Sequence, residues 1–237
     1  MRPSMRTDRK ARGEHAVYLE VAPKRTFACA VDWPGWSRSG KTEDEALQAL
    51  VDYGRRYAAI VPRSISFTAP ADVAALDVIE RVRGGSGTEF GVPGTVRSAD
   101  AAALDEDELE RQRRLLRAAW RAFDVAAEAA ATAVLRKGPR GGGRDLPKMT
   151  AHVLDADRAY LHQLGLRYRD APSDDAEALK AVRDAAVKAL ADRGRGKPLG
   201  SPNAVKRPWP PRYYVRRSAW HALDHAWEIE DRAEPAG

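Results

Sequence analysis

The sequence predicts an α+β chain in two unlike parts, a small β-β-α module followed by a four-helix up-down bundle. Three observations carry this. His15–Val21 and Arg25–Val31 are short runs rich in β-branched and aromatic residues around Ala22-Pro-Lys24, which is a hairpin pattern. Leu109, Leu116, Trp120, Phe123, Ala127, Ala130 and Val134 recur at spacings of 7, 4, 3, 4, 3 and 4, the seam of a bundle helix. Three more helical segments follow, joined by connections rich in Gly and Pro. The expected domains are residues 15–100 and 104–231.

The elements follow in order. Residues 1–14 are polar and basic and read as a frayed tail, without the apolar stretch of a secretory signal. Pro34-Gly35 ends the second strand, because Pro lacks the ladder donor and Gly tolerates the turn. Thr42 with Glu45 is a capping box, and the helix behind it runs toward Pro62 with Ala46, Leu47, Leu50, Val51, Tyr53, Gly54 and Tyr57 on one face. Arg63–Ala69 reads as a third strand. Residues 71–82 fit either a short helix or a strand and turn, Gly84–Gly87 a loop, and Glu89–Val96 an edge strand. The first bundle helix opens on the acidic Asp105–Glu110, which suits its dipole, and runs to about Leu135. Gly138–Arg144 is a connection, and Pro147 starts the second helix at a position where its missing N–H costs nothing. The third helix follows Pro172-Ser173 and covers 174–192. Residues 194–211 form a proline-containing loop, and the last helix covers about 212–231.

Composition limits the chemistry. One cysteine, Cys29, excludes an internal disulfide framework and every multi-cysteine metal site. No apolar run approaches the roughly 20 residues of a membrane span, so the cytoplasm is the expected location. A net charge of +6 keeps nucleic acid and anionic ligands in view. Gly35-Trp-Ser-Arg-Ser-Gly40-Lys-Thr42 matches the spelling of a phosphate loop. Bulky Trp36 and Arg38, and the lack of an acidic partner strand, speak against that reading.

The histidines carry the sharpest signal. His221 and His225 are four residues apart on a predicted helix, so both imidazoles leave one face. His152 shares its side of the second helix with Met149, Val153, Ala156 and Tyr160 and points into the bundle. Three imidazoles leave positions on a divalent ion open to water or substrate, as a catalytic metal requires. A buried structural histidine cluster beside Trp220 and Trp227 is the competing reading. His162, near the helix end, is expected to be exposed or capping, and His15 structural.

The segments Leu116-Arg-Ala-Ala-Trp120, Met149-Thr-Ala-His152 and Trp220-His-Ala-Leu-Asp-His225-Ala-Trp-Glu228 resemble the DinB/YfiT-like superfamily of four-helix metalloproteins, over residues 104–231. The resemblance implies a divalent transition metal, zinc or nickel, on His152, His221 and His225. It also implies a transferase or isomerase using a low-molecular-weight thiol such as mycothiol or bacillithiol. Asp155, three residues past His152, then orients a ligand or accepts a bond from bound water, or is simply a solvated helix charge. Glu228, three residues past His225, is either an acceptor for an imidazole N–H or an ion-pair partner of Arg232. Tyr160 and Trp120 line the pocket or pack the core. Ala28–Gly35, Ser39–Thr42 and Glu43–Ala46 resemble the HicB-type fold seen in antitoxins, over about residues 15–60. Its expected role here is docking, or dimerisation into a homodimer.

Residues 193–217 hold eight basic groups, Arg193, Arg195, Lys197, Lys206, Arg207, Arg212, Arg216 and Arg217, and no acid. With Trp209, Tyr213 and Tyr214 interleaved, they suit either a nucleic-acid surface or the mouth of a site for a small anionic ligand. Arg217, one turn before His221, is placed to meet a substrate carboxylate. The sequence thus favours a metal-dependent enzyme for a small anionic or thiol-bearing ligand. A non-catalytic binding protein and a nucleic-acid-associated factor are the alternatives.

Overall fold

The computed structural model describes residues 14–137, 143–168, 175–199 and 205–234. The tail at 1–13, much of the connection at 138–144, the helix start at Pro172-Ser173 and part of the loop at 194–211 lie outside the described residues. The chain is mixed α+β and divides into two compact units. The first takes residues 1–32, 36–59 and 66–95; the second takes 33–35, 60–65 and 96–237.

The first unit is a four-stranded sheet with two helices in its crossover. β1 (His15–Ala22) and β2 (Arg25–Ala30) form the expected hairpin, with Val17 opposite Ala30 and Ala22 opposite Arg25. The polar Ser37–Gly40 is a third strand, β3, antiparallel to β2, although the sequence reads it as loop. α1 (Glu43–Asp52) starts at Thr42, whose hydroxyl accepts from Glu45 N. The Glu45 carboxylate reaches back one residue further than a capping box requires, to Lys41 N at 2.7 Å. This first turn carries three acidic side chains, Glu43, Asp44 and Glu45, which disfavour a phosphate there.

The expected single helix breaks at Tyr53, and α2 (Gly54–Ile60) continues the chain. Gly54, at the start of α2, lets Pro70 pack close, since a Cβ there would sit 2.8 Å from Pro70 Cδ. Arg63–Ala69 is not a strand. The fourth strand is β4 (Leu76–Arg83), parallel to β1 at the opposite edge from β3.

The edge strand expected at Glu89–Val96 is also replaced, by α3 (Ser86–Phe90) and a turn at Gly91 with φ +98°. The cause is Glu20, a fully buried carboxylate on β1. It accepts from Gly94 N at 3.1 Å, from Thr95 N at 3.0 Å and from the Thr88 hydroxyl. Those backbone donors serve a buried carboxyl group and are lost to a strand ladder.

Trp36 is the centre of this unit's core. It is fully buried, donates from Nε1 to Leu50 O at 2.9 Å, and packs against His15, Tyr57 and Phe67. His15 is structural, with Nε2 2.8 Å from Thr68 O. Cys29 is buried in β2.

The second unit contains four long helices, α4 (Glu106–Ala129), α5 (Leu146–Leu164), α6 (Asp175–Gly194) and α7 (Pro211–Arg232). Asp105 caps α4 by accepting from Glu108 N, and Asp145 caps α5 by accepting from Lys148 N. Gly165, at φ +114°, closes α5 in the left-handed conformation that terminates helices. α4 stops six residues before Leu135. Val134–Leu135 instead forms β5, paired with β6 (Ala233–Glu234), and Val134 is exposed. α7 is buried over most of its circumference, from Tyr213 to Ile229. It packs mainly on α4, then on α5 and α6, so polar side chains on α7 are held largely away from water. No helix among the described residues is long and apolar enough to cross a membrane.

Candidate metal centre

α7 carries His221 and His225, and α5 brings His152 against them. One ligand-capable nitrogen from each lies within 4.8 Å of the other two. His221 Nε2 is 3.2 Å from His152 Nε2. The His225 ring centroid is 4.6 Å from that of His221 and 5.0 Å from that of His152, with each pair of rings near perpendicular. Two nitrogens on one tetrahedral zinc, at bonds of about 2.0–2.1 Å, stand about 3.3–3.4 Å apart. The His152–His221 spacing matches this, and the His225 nitrogen lies within 4.8 Å of both. The donor set therefore fits a divalent transition ion.

The protonation states suit ligation. Burial is the largest cause holding His152 below the ordinary imidazole value and His221 well below it. Neighbouring His225 also lowers both, and Arg217 lowers His221. Both rings are thereby kept neutral, with a lone pair available. His221 is 6% exposed, and its buried Nδ1 has no hydrogen-bond partner among the described residues.

Glu228 orients His225. Its Oε2 is 2.9 Å from His225 Nδ1, and its Oε1 accepts from Arg232 Nη1 at 2.5 Å. The bond from His225, helped by Arg232, holds its carboxyl below the usual range. An ionised carboxylate accepts from Nδ1–H, which leaves the Nε2 lone pair free for a metal. Both readings of Glu228 hold at once: it bonds the imidazole and pairs with Arg232.

The remaining expected residues divide. Tyr160 is at the centre, its ring 5.6 Å from that of His221 and 5.4 Å from that of Trp209. Arg217 stacks its guanidinium 5.0 Å from the Tyr160 ring and 4.7 Å from the Trp220 ring. Its buried Nη1 has no hydrogen-bond partner among the described residues.

Asp155 is 78% exposed, 3.8 Å from Arg158, and makes no hydrogen bond to the histidines. Its charge still slightly favours a proton on His152. Trp120 lines a separate cleft of about 540 Å³ with Phe123 and Arg183. His162 is half-buried at the end of α5, beside Arg158 and Tyr168.

Two features go beyond the sequence reading. Asp157 is buried on α5 and bonded to Arg183 Nε at 3.1 Å; Arg183 Nη1 also reaches Asp124 at 2.7 Å. Burial pushes the Asp157 carboxyl up to about 6, against the pull of Arg183. The basic stretch is also partly neutralised by distant acids. Arg195 pairs with Glu106, Arg212 with Glu108, and Arg216 with the buried Asp100. Acids at 100–108, outside the stretch, thus take three of its eight positive groups, which reduces the charge left for a polyanion.

Compared with known proteins, the chain matches no family model, no curated protein and no solved structure.

Proposed function

We propose that this chain is a divalent-metal-dependent enzyme of the DinB-like type, with zinc or nickel held by His152, His221 and His225. The carrying observation is the convergence of three imidazoles from two helices, with their nitrogens within 4.8 Å. A divalent ion bound there lowers the pKa of a coordinated water or thiol and so supplies a nucleophile near neutral pH.

The chain's own residues supply the rest. Glu228 holds the proton of His225 at Nδ1 and fixes the ring. Tyr160, packed on Trp209, stands edge-on to His221 and walls one side of the centre. Arg217 offers a cation beside His221 for an acidic group of the substrate. Cys29 is buried in β2, so sulfur in a thiol reaction comes from a small cofactor, for which mycothiol and bacillithiol are the proposed classes. The HicB-like resemblance makes the first unit the proposed dimerisation module, and the cytoplasm is the proposed location.

The test is turnover of an electrophilic carboxylate by the zinc- or nickel-loaded protein with a panel of low-molecular-weight thiols. Metal-dependent turnover with one thiol supports the reading. A loaded protein that turns over nothing with any thiol contradicts the transferase assignment.

A further inference from the structure

Arg232 uses all three of its guanidinium nitrogens as donors. Its side chain is only 12% exposed. Nη1 donates to Glu228 Oε1 at 2.5 Å, Nε to Arg136 O at 2.7 Å and Nη2 to Arg144 O at 2.9 Å. The same junction is closed from the other side. Arg136 N donates to Arg232 O at 2.8 Å, Arg136 Nη2 donates to Asp231 O at 2.6 Å, and β5 pairs with β6.

The backbone is shaped around this guanidinium. Gly143 has φ +132°, where side chains are strained, and a Cβ there would come within 2.5 Å of Arg232 Nη2. Arg144 directly precedes Asp145, the cap of α5, and α5 carries His152. One side chain therefore ties the end of the helix bearing His221 and His225 to the start of the helix bearing His152.

We propose that Arg232 is a positioning residue for the histidine centre. It fixes the Glu228 carboxylate that orients His225, and it locks the entry of α5 that places His152. The inference rests on the metal-binding reading above. A planar fork with three directed donors can make these contacts together, whereas the compact ammonium of a lysine has no such geometry.

The experiment uses the full chain and zinc alone, with affinity measured by competition against a chromophoric chelator. Fold is checked by circular dichroism and amide exchange is followed at 134–136 and 143–145. Arg232→Ala and Arg232→Lys are expected to weaken zinc about 10–100-fold, the usual cost of losing an outer-shell partner. Glu228→Ala should do the same. Glu228→Ala/Arg232→Ala should be less weak than the product of the two single losses, because part of the effect of Arg232 passes through Glu228. A merely structural arginine gives independent, multiplying effects. Amide exchange at the two segments should slow on adding zinc to the wild type and not to Arg232→Ala.

If Arg232→Ala does not fold, Gly143→Ala, which crowds the guanidinium while keeping it, should weaken zinc in the same direction. Wild-type affinity in the folded Arg232 variants, or in Gly143→Ala when it stands in for them, overturns the proposal. So does a double variant whose loss is the full product. A wild type that binds no zinc overturns the metal reading instead.

Discussion

His152 Nε2 and His221 Nε2 face each other at 3.2 Å from two different helices. Two imidazole nitrogens this close share one proton or one metal ion, since two lone pairs or two N–H groups would repel. Metal binding is thus expected to displace a proton-mediated contact.

His152→Ala removes a ligand and should therefore cost more zinc affinity than the about 10–100-fold typical of an outer partner. The chelator-competition titration checks this. Because His152 is half-buried, the secondary structure should persist in the far-ultraviolet spectrum.

Glu228→Gln tests the orienting bond in a different way from truncation. The amide keeps the size of the side chain but not the charge that favours Nδ1–H on His225. We expect weaker zinc binding with a Tm for the metal-free protein that shifts by only a few degrees. Unchanged affinity would remove Glu228 from the account.

The pH dependence of the metal-free protein has a definite sign. His152 and His221 have pKa values lowered by folding. Their contribution to stability is present above the unfolded value of about 6.5 and is lost as pH falls below it. Urea denaturation with chelator present should show the wild type losing more stability between about pH 7.5 and 5.5 than His221→Leu does. Equal losses in the two proteins would contradict the buried, neutral assignment of His221.

Asp157 has the opposite sign. Its carboxyl is raised to about 6, so its contribution is present below the unfolded value and lost as pH rises through about 6. Arg183→Met leaves this buried acid without its main partner and should destabilise the protein by about 3–5 kcal/mol near neutral pH. The penalty should shrink near pH 5, where Asp157 takes up a proton. Denaturation of both proteins at the two pH values decides this.

Much of the site was legible because helical spacing is a local property. His221 and His225 at i and i+4, and His152 on the inward side of α5, needed only the 3.6-residue period. The hairpin, the cap at Thr42 and the acidic start of α4 were equally local. What failed depended on distant partners. Ser37–Gly40 has little strand propensity and becomes β3 by pairing with β2. Glu89–Val96 looked like an edge strand until Glu20, about seventy residues away, claimed its backbone donors. Trp36 read as a bulky loop residue, yet a partner at Leu50 O lets its indole be fully buried. Arg216 stood in an acid-free stretch of sequence because Asp100, its partner, is 116 residues earlier. The triple use of Arg232 was invisible for the same reason, since two of its three acceptors are carbonyls of the α4–α5 connection.

The central claim is that His152, His221 and His225 hold a divalent metal. Elemental analysis of protein purified without a histidine tag, before and after reconstitution with zinc or nickel, tests it most directly. About one equivalent per chain is expected, lost in a folded His221→Ala/His225→Ala variant. Less than about a tenth of an equivalent, unchanged by reconstitution, would contradict it.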